Sequence, residues 1–208
     1  MANFIVVDDH PMARMAVTFL LEKEGHTLIA ETDDGREALE LVDQHYPEIV
    51  VMDIDIHSIN GIEVVKTLRA RSFPGIIIIV SGKNQSFYAI QSIRCGANGF
   101  ISKKDNLPEI ITAIRAAQNG YGYFPLAGIN APPEQSSTHP DIRLLESLSP
   151  QEFQVFTYLL KGLDNMRIAN RMNLSNKTVS TYKGRLLEKL HCKSLRDLFA
   201  FANRNHME

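Results

Sequence analysis

Five short apolar runs, "FIVVDD", "TLIAET", "EIVVMD", "GIIIIVSG" and "GFISK", punctuate the first 120 residues of the chain. Between them lie helix-length stretches, residues 11 to 24, 34 to 45, 60 to 71, 86 to 95 and 107 to 119, where apolar residues recur at three- and four-residue spacing. Continuous Val/Ile runs lack the in-and-out alternation of a half-exposed strand, so they suit strands covered on both faces. Strands that alternate with helices are joined by crossovers, which makes the sheet parallel. The expectation is an α/β fold, a doubly wound five-stranded parallel sheet over residues 1 to 120. In such sheets chemistry gathers beyond the carboxyl ends of the strands.

The pattern then changes twice. Residues 121 to 147 include "LAGINAPPEQSSTHPDIR", with three prolines and little periodicity, and read as a linker. From residue 148 to 208 the chain reads as all-α, with helices expected over 150 to 161, 164 to 172, 176 to 190 and 194 to 204. The first of these opens on a capping box, with Ser149 as N-cap, Pro150 at the first helical position and Glu152 three residues after the cap.

Charge follows the same division. The near-neutral total of −2 hides 16 acids against 11 Lys/Arg in residues 1 to 120 and 5 against 10 in residues 148 to 208. An acidic front and a basic tail imply two jobs, the second on a polyanion. No apolar run is long enough to cross a bilayer, and the first residues lack a basic region leading into an apolar stretch, so a cytoplasmic protein without a membrane role is expected. The two cysteines, Cys95 and Cys192, have no CxxC neighbour, which suggests neither a disulfide framework nor a zinc site.

Special residues close four of the expected strands: Asp8 and Asp9 the first, Asp53 the third, Ser81 the fourth and Lys103 the fifth. A parallel sheet delivers these ends to one rim, so side chains distant in sequence can converge. Three carboxylates together form a hard-oxygen cluster suited to Mg²⁺, and their mutual repulsion is relieved by a divalent cation and by the Lys103 ammonium. The stretch "VVMDID" alone leaves two chemistries open. It also fits the strand-then-DxD pattern of haloacid-dehalogenase-like phosphatases, in which Asp53 would be the nucleophile and Asp55 a general acid. Those enzymes place their metal-binding acidic pair downstream of the lysine, whereas here "DD" lies upstream.

On the "DD" of "IVVDDHP", the "D" of "VVMDID", the "S" of "IIIIVSG" and the first "K" of "GFISKK", residues 1 to 120 resemble the receiver domain of two-component response regulators. The resemblance implies a flavodoxin-like fold that is not itself an enzyme, with Asp53 as phosphoacceptor from a sensor histidine kinase. It implies that Asp8, Asp9, Asp53 and the backbone carbonyl of Asp55 hold Mg²⁺, that Ser81 and Lys103 bind phosphoryl oxygens, and that Phe100 is the switch aromatic. Two positions depart from the family pattern: His57 and Lys104 stand where prolines are common.

In the tail, "NMRIANRMNLSNKTVSTYKGRLLEKL" reads as a short helix, a tight turn and a longer helix. At about 100° per residue the longer helix turns Val179, Leu186, Leu187 and Leu190 to one side. Lys177, Ser180, Thr181, Gly184 and Arg185 fall on the other, and Lys183 must reach out from the apolar arc along its stem. Basic side chains on such a face suit phosphates and short hydroxyls suit base edges.

The segment from "LSPQEFQVF" through "LHCKSLRDL" resembles the four-helix LuxR/NarL-type helix-turn-helix domain. With a receiver in front, nearly the whole chain resembles a NarL/FixJ-class response regulator, and on "GANGF" and "SNKTVSTYK" the virulence-regulator type within that class. This implies a phosphorylation-activated transcription regulator that binds promoter DNA as a homodimer, its last helix pairing two tails, with RNA polymerase as a further candidate partner. Ser180, Thr181 and Gly184 match groove-facing positions. Lys177, Lys183 and Arg185 are the expected phosphate contacts. A receiver that works without phosphorylation, its tail binding DNA constitutively, is the remaining variant.

Overall fold

The computed structural model describes residues 1–82, 85–103, 107–125, 141, 144–145, 147–172 and 174–205, with the backbone alone described at residues 85–87 and 150. The chain divides into two compact units, Met1–Ile129 and Asn130–Glu208.

The first unit holds strands β1 (Asn3–Val7), β2 (Thr27–Thr32), β3 (Ile49–Met52), β4 (Ile76–Ser81) and β5 (Gly99–Ser102). They alternate with helices α1 (Pro11–Lys23), α2 (Gly35–His45), α3 (Gly61–Ala70), α4 (Gln85–Cys95) and α5 (Glu109–Gln118). Every pairing is parallel and the strand order is β2-β1-β3-β4-β5. That is the doubly wound, flavodoxin-like order, whose chain reversal beside β1 opens a crevice at the strands' carboxyl ends.

The apolar runs are covered on both faces, as expected. Phe4, Val6, Ile49, Val51, Ile78, Val80 and Ile101 pack with Val17 and Leu21 of α1 and Ile110, Ala113 and Ile114 of α5. The alternate residues Ile5, Val7, Val50, Met52, Ile77 and Ile79 are equally buried, with Ala38, Val42, Val64 and Leu68 from α2 and α3 also in the core. At the edge, β2 is only partly covered. The other edge strand, β5, is protected by the chain that follows α5: Tyr123 forms a parallel bridge with Gly99, taking a hydrogen bond from the Phe100 N–H at 2.8 Å and donating its own to Asn98 O at 2.9 Å. A single bridge therefore extends the pairing of this edge past residue 120.

The second unit contains α6 (Pro150–Leu160), α7 (Asn165–Met172), α8 (Asn176–Lys189) and α9 (Leu195–Arg204). The capping box at Ser149 is complete: its hydroxyl accepts from the Glu152 N–H and its own N–H donates to Glu152. Glu152 is buried, and its Oε2 also takes the Lys189 ammonium at 2.7 Å, which ties the start of α6 to the end of α8. Burial pushes the Glu152 carboxyl up, but these donors outweigh it and leave it below its ordinary range. Val155, Phe156, Ile168, Val179, Leu186, Leu198 and Phe201 form the apolar interior, so each helix contributes one face.

Candidate functional site: an acidic pocket and a basic helix face

The loops after β1, β3 and β5 bring together the residues that the spacing of the chain had marked. β1 ends one residue before Asp8, β3 ends one residue before Asp53 and Lys103 follows β5 directly, so their side chains meet at one rim. Lys103 Nζ lies 2.6 Å from Asp8 Oδ2 and 2.8 Å from Asp53 Oδ2. Asp8 and Asp53 are almost fully buried. The second oxygen of Asp53 accepts the N–H of Ile54 at 2.6 Å, and Asp8 Oδ1 accepts the N–H of His10 at 2.9 Å. Both carboxylates are therefore held at both oxygens by donors of fixed position.

Electrostatics in this pocket are unbalanced. Burial pushes the Asp53 carboxyl above its ordinary range, with Lys103 opposing and Asp8 adding to the shift. Burial alone would lower the Lys103 ammonium, yet its contacts with Asp53 and Asp8 hold it above its ordinary value. Three carboxylates against one ammonium leave a formal charge of about −2 at neutral pH.

The donor set fits a divalent cation. Ligand atoms of Asp8, Asp9, His10 and Asp53 all lie within 4.8 Å of one another. Asp9 Oδ1 is buried without a hydrogen-bond partner, which is costly unless a cation completes it. Hard carboxylate oxygens in this number suit Mg²⁺.

Ser81 ends β4 fully buried, and its carbonyl accepts the Lys103 N–H at 2.9 Å. Phe100 is buried on β5, its N–H tied to Tyr123. Asp55 is half-buried in the loop after β3. Lys104, one of the two departures from the family pattern, lies outside the described residues.

His57, the other departure, has an exposed side chain but a paired backbone. Its N–H donates to Asp33 O at 2.9 Å and its carbonyl accepts from the Gly35 N–H at 3.0 Å. Nδ1 lies 3.1 Å from the same Asp33 carbonyl oxygen. Ser58, at φ 62°, hydrogen-bonds through its hydroxyl to the Asp34 carboxylate. The loop after Asp53 is thus zipped to the loop before α2, a cross-loop restraint at the position where the receiver resemblance leads one to expect a proline.

Sequence reading missed Gly61. A Cβ built there would overlap the Asp53 carbonyl oxygen and stand 3.0 Å from its carbonyl carbon, while its N–H donates to Ile54 O at 2.9 Å. The start of α3 is pressed against the backbone of Asp53, and only glycine fits. The signal was present as "SING", a turn followed by a helix start, but nothing in one sequence says which backbone lies opposite.

In the second unit, Lys177, Ser180, Thr181, Gly184 and Arg185 all stand exposed on α8, opposite buried Val179, Leu186 and Leu190. Lys183 is half-buried, as expected of a stem crossing the apolar arc. Ser175 caps the helix through its hydroxyl, accepting from the Thr178 N–H. Asn165 of α7 donates to Ser180 Oγ at 3.1 Å, so the first helix of the pair fixes one of the exposed hydroxyls of the second. Apart from the helix's own backbone and the adjoining residues, no atom of the described residues lies within 4 Å of a Cβ added at Gly184.

The response regulator receiver domain family matches residues 4–115, and the luxR family of bacterial regulatory proteins matches residues 146–202. The chain belongs to the LuxR-type response regulators. Its relatives include the DNA-binding transcriptional activator EvgA of Escherichia coli K12, 51% identical over 203 residues and covering 98% of both chains. The Bordetella pertussis virulence regulator BvgA is 40% identical, over 98% of this chain and 97% of its own. Among solved structures, RcsB of Salmonella enterica serovar Typhimurium, bound to a promoter with a phosphomimetic, superposes with a TM-score of 0.77 over 98% of each chain at 22% identity, a likeness of fold.

For a response regulator the acidic pocket belongs to the receiver and the exposed face of α8 to the DNA-binding domain. The family assignment favours this reading of "VVMDID" over the phosphatase one. Among the described residues no helix is long and apolar enough to cross a membrane.

Proposed function

We propose that this response regulator accepts a phosphoryl group on Asp53 from a sensor histidine kinase and that the modified chain binds promoter DNA as a homodimer. The observation that carries the reading is the Lys103 ammonium shared between Asp8 and Asp53, beside a buried Asp9 oxygen that accepts no hydrogen bond. The division of labour is a receiver over residues 1–120, a connecting segment over 121–147 and a DNA-binding domain over 148–208, in a cytoplasmic protein.

Asp8, Asp9, Asp53 and the Asp55 carbonyl would hold Mg²⁺, which supplies charge neutralisation for the phosphoryl oxygens when bound. Asp53 is the nucleophile, its carboxylate held in one orientation by the Ile54 N–H. Lys103 hydrogen-bonds Asp53 before transfer and a phosphoryl oxygen after it, so positive charge stays beside the reacting centre throughout. Ser81 donates to a second phosphoryl oxygen. Its movement, with that of Phe100, alters the surface around β4 and β5.

In the tail, Ser180, Thr181 and Gly184 face the major groove, and Lys177, Lys183 and Arg185 contact phosphates. The last helix, residues 194–203, pairs two tails across an inverted repeat, with RNA polymerase as a further partner. The test is genome-wide mapping of bound DNA with and without a phosphodonor. Sites that gain occupancy with the donor are expected, and the gain should vanish in Asp53→Asn. Equal occupancy in both states would instead favour a regulator that needs no phosphorylation.

A further inference from the structure

His10 occupies an unusual place in the acidic pocket. It is the N-cap residue of α1, yet its side chain makes no capping hydrogen bond. Pro11 follows it, and a residue before proline is confined to extended backbone, as φ −100° and ψ 109° show. The His10 N–H is fixed on Asp8 Oδ1 at 2.9 Å. These restraints hold the imidazole beside the carboxylates: Nδ1 lies 2.5 Å from Asp9 Oδ1 and 3.5 Å from Asp8 Oδ1.

The Asp9 oxygen it meets is the buried one without a hydrogen-bond partner, so the close approach is not a well-formed hydrogen bond. A nitrogen donor and three carboxylates whose ligand atoms fall within 4.8 Å of one another form a mixed N/O set. Mg²⁺ demands oxygen and gains little from imidazole, whereas Fe²⁺, Ni²⁺ and Zn²⁺ accept nitrogen readily, and Mn²⁺, at the low end of the same first-row series, gains more from it than Mg²⁺ does.

We propose that His10 is a side-chain ligand of the receiver's cation site and shifts its selectivity from Mg²⁺ toward divalent transition ions. The inference rests on the reading of Asp8, Asp9 and Asp53 as that site. The side chain of His10 is largely exposed, so it swings onto a cation at Asp9 by side-chain rotation, with the backbone unmoved.

The test is Mn²⁺ binding to the full chain, followed by the electron paramagnetic resonance signal of free Mn²⁺, with Mg²⁺ as competitor. In His10→Gln and His10→Phe the ratio of Mn²⁺ to Mg²⁺ affinity is expected to fall about tenfold. An unchanged ratio overturns the proposal, whether both affinities hold or both fall together. Asp9→Asn separates this from the underlying reading: it should weaken both ions strongly, and unaltered binding of both in that variant would overturn the cation site itself.

Discussion

The Lys103 ammonium bridges Asp53 and Asp8, at 2.8 and 2.6 Å, so one cation from the end of β5 neutralises carboxylates delivered by two other strands. Removing it leaves both acids buried and uncompensated. Lys103→Met is therefore expected to destabilise the receiver by about 3 kcal/mol. Thermal unfolding of the full chain, followed by amide signals of the receiver, should show the loss, and added Mg²⁺ should restore part of it. No change in melting would mean that the ion pairs add nothing to the fold.

Asp53 works in the opposite direction. Its carboxyl is held above its ordinary range, so the folded receiver binds that proton more tightly than the unfolded chain does, and ionised Asp53 costs stability. The wild type thus loses stability relative to Asp53→Asn as pH rises from below the unfolded value of about 3.8 through the folded one. At neutral pH without divalent ions, Asp53→Asn should melt higher by a few degrees. Melting curves at pH 7 and near pH 3.5 check this, the gap being expected to close at the lower pH.

Gly61 sets where Asp53 stands. Gly61→Ala forces a Cβ against the Asp53 carbonyl, and the backbone must move apart. Phosphorylation by a small-molecule donor should slow by tenfold or more, since misplacement of a reacting group by about 1 Å costs up to about a hundredfold. An unchanged rate would show that the loop after β3 absorbs the strain elsewhere.

Gly184 separates helix stability from DNA contact. Its Cβ position is open, so Gly184→Ala should stabilise the tail by about 1 kcal/mol through helix propensity alone. If the groove comes close at this point, the same variant weakens promoter binding while Lys177→Ala flattens its salt dependence by about one phosphate contact. Titration of labelled promoter duplex at several salt concentrations reads both effects.

The β/α alternation was legible because continuous apolar runs and helical spacing carry their own periodicities. All five strands and nine helices expected from it are present among the described residues, with ends within about two residues. Asp8, Asp53 and Lys103 were legible because a parallel sheet must bring strand ends to one rim. What escaped was contact between loops. The zip between His57 and Asp33, the fit of Gly61 against Asp53, the Asn165 bond to Ser180 and the Tyr123 bridge to Gly99 all join segments whose pairing depends on the folded geometry.

The most direct test of the account is site mapping of the phosphoryl group. Wild-type protein incubated with acetyl phosphate and Mg²⁺ should gain the mass of one phosphoryl group, borohydride reduction of the acyl phosphate should release phosphate and leave homoserine as a stable mark at position 53, and Asp53→Asn should show neither. Equal phosphorylation of the variant, or the homoserine mark at Asp8, Asp9 or Asp55 in the wild type, would contradict it.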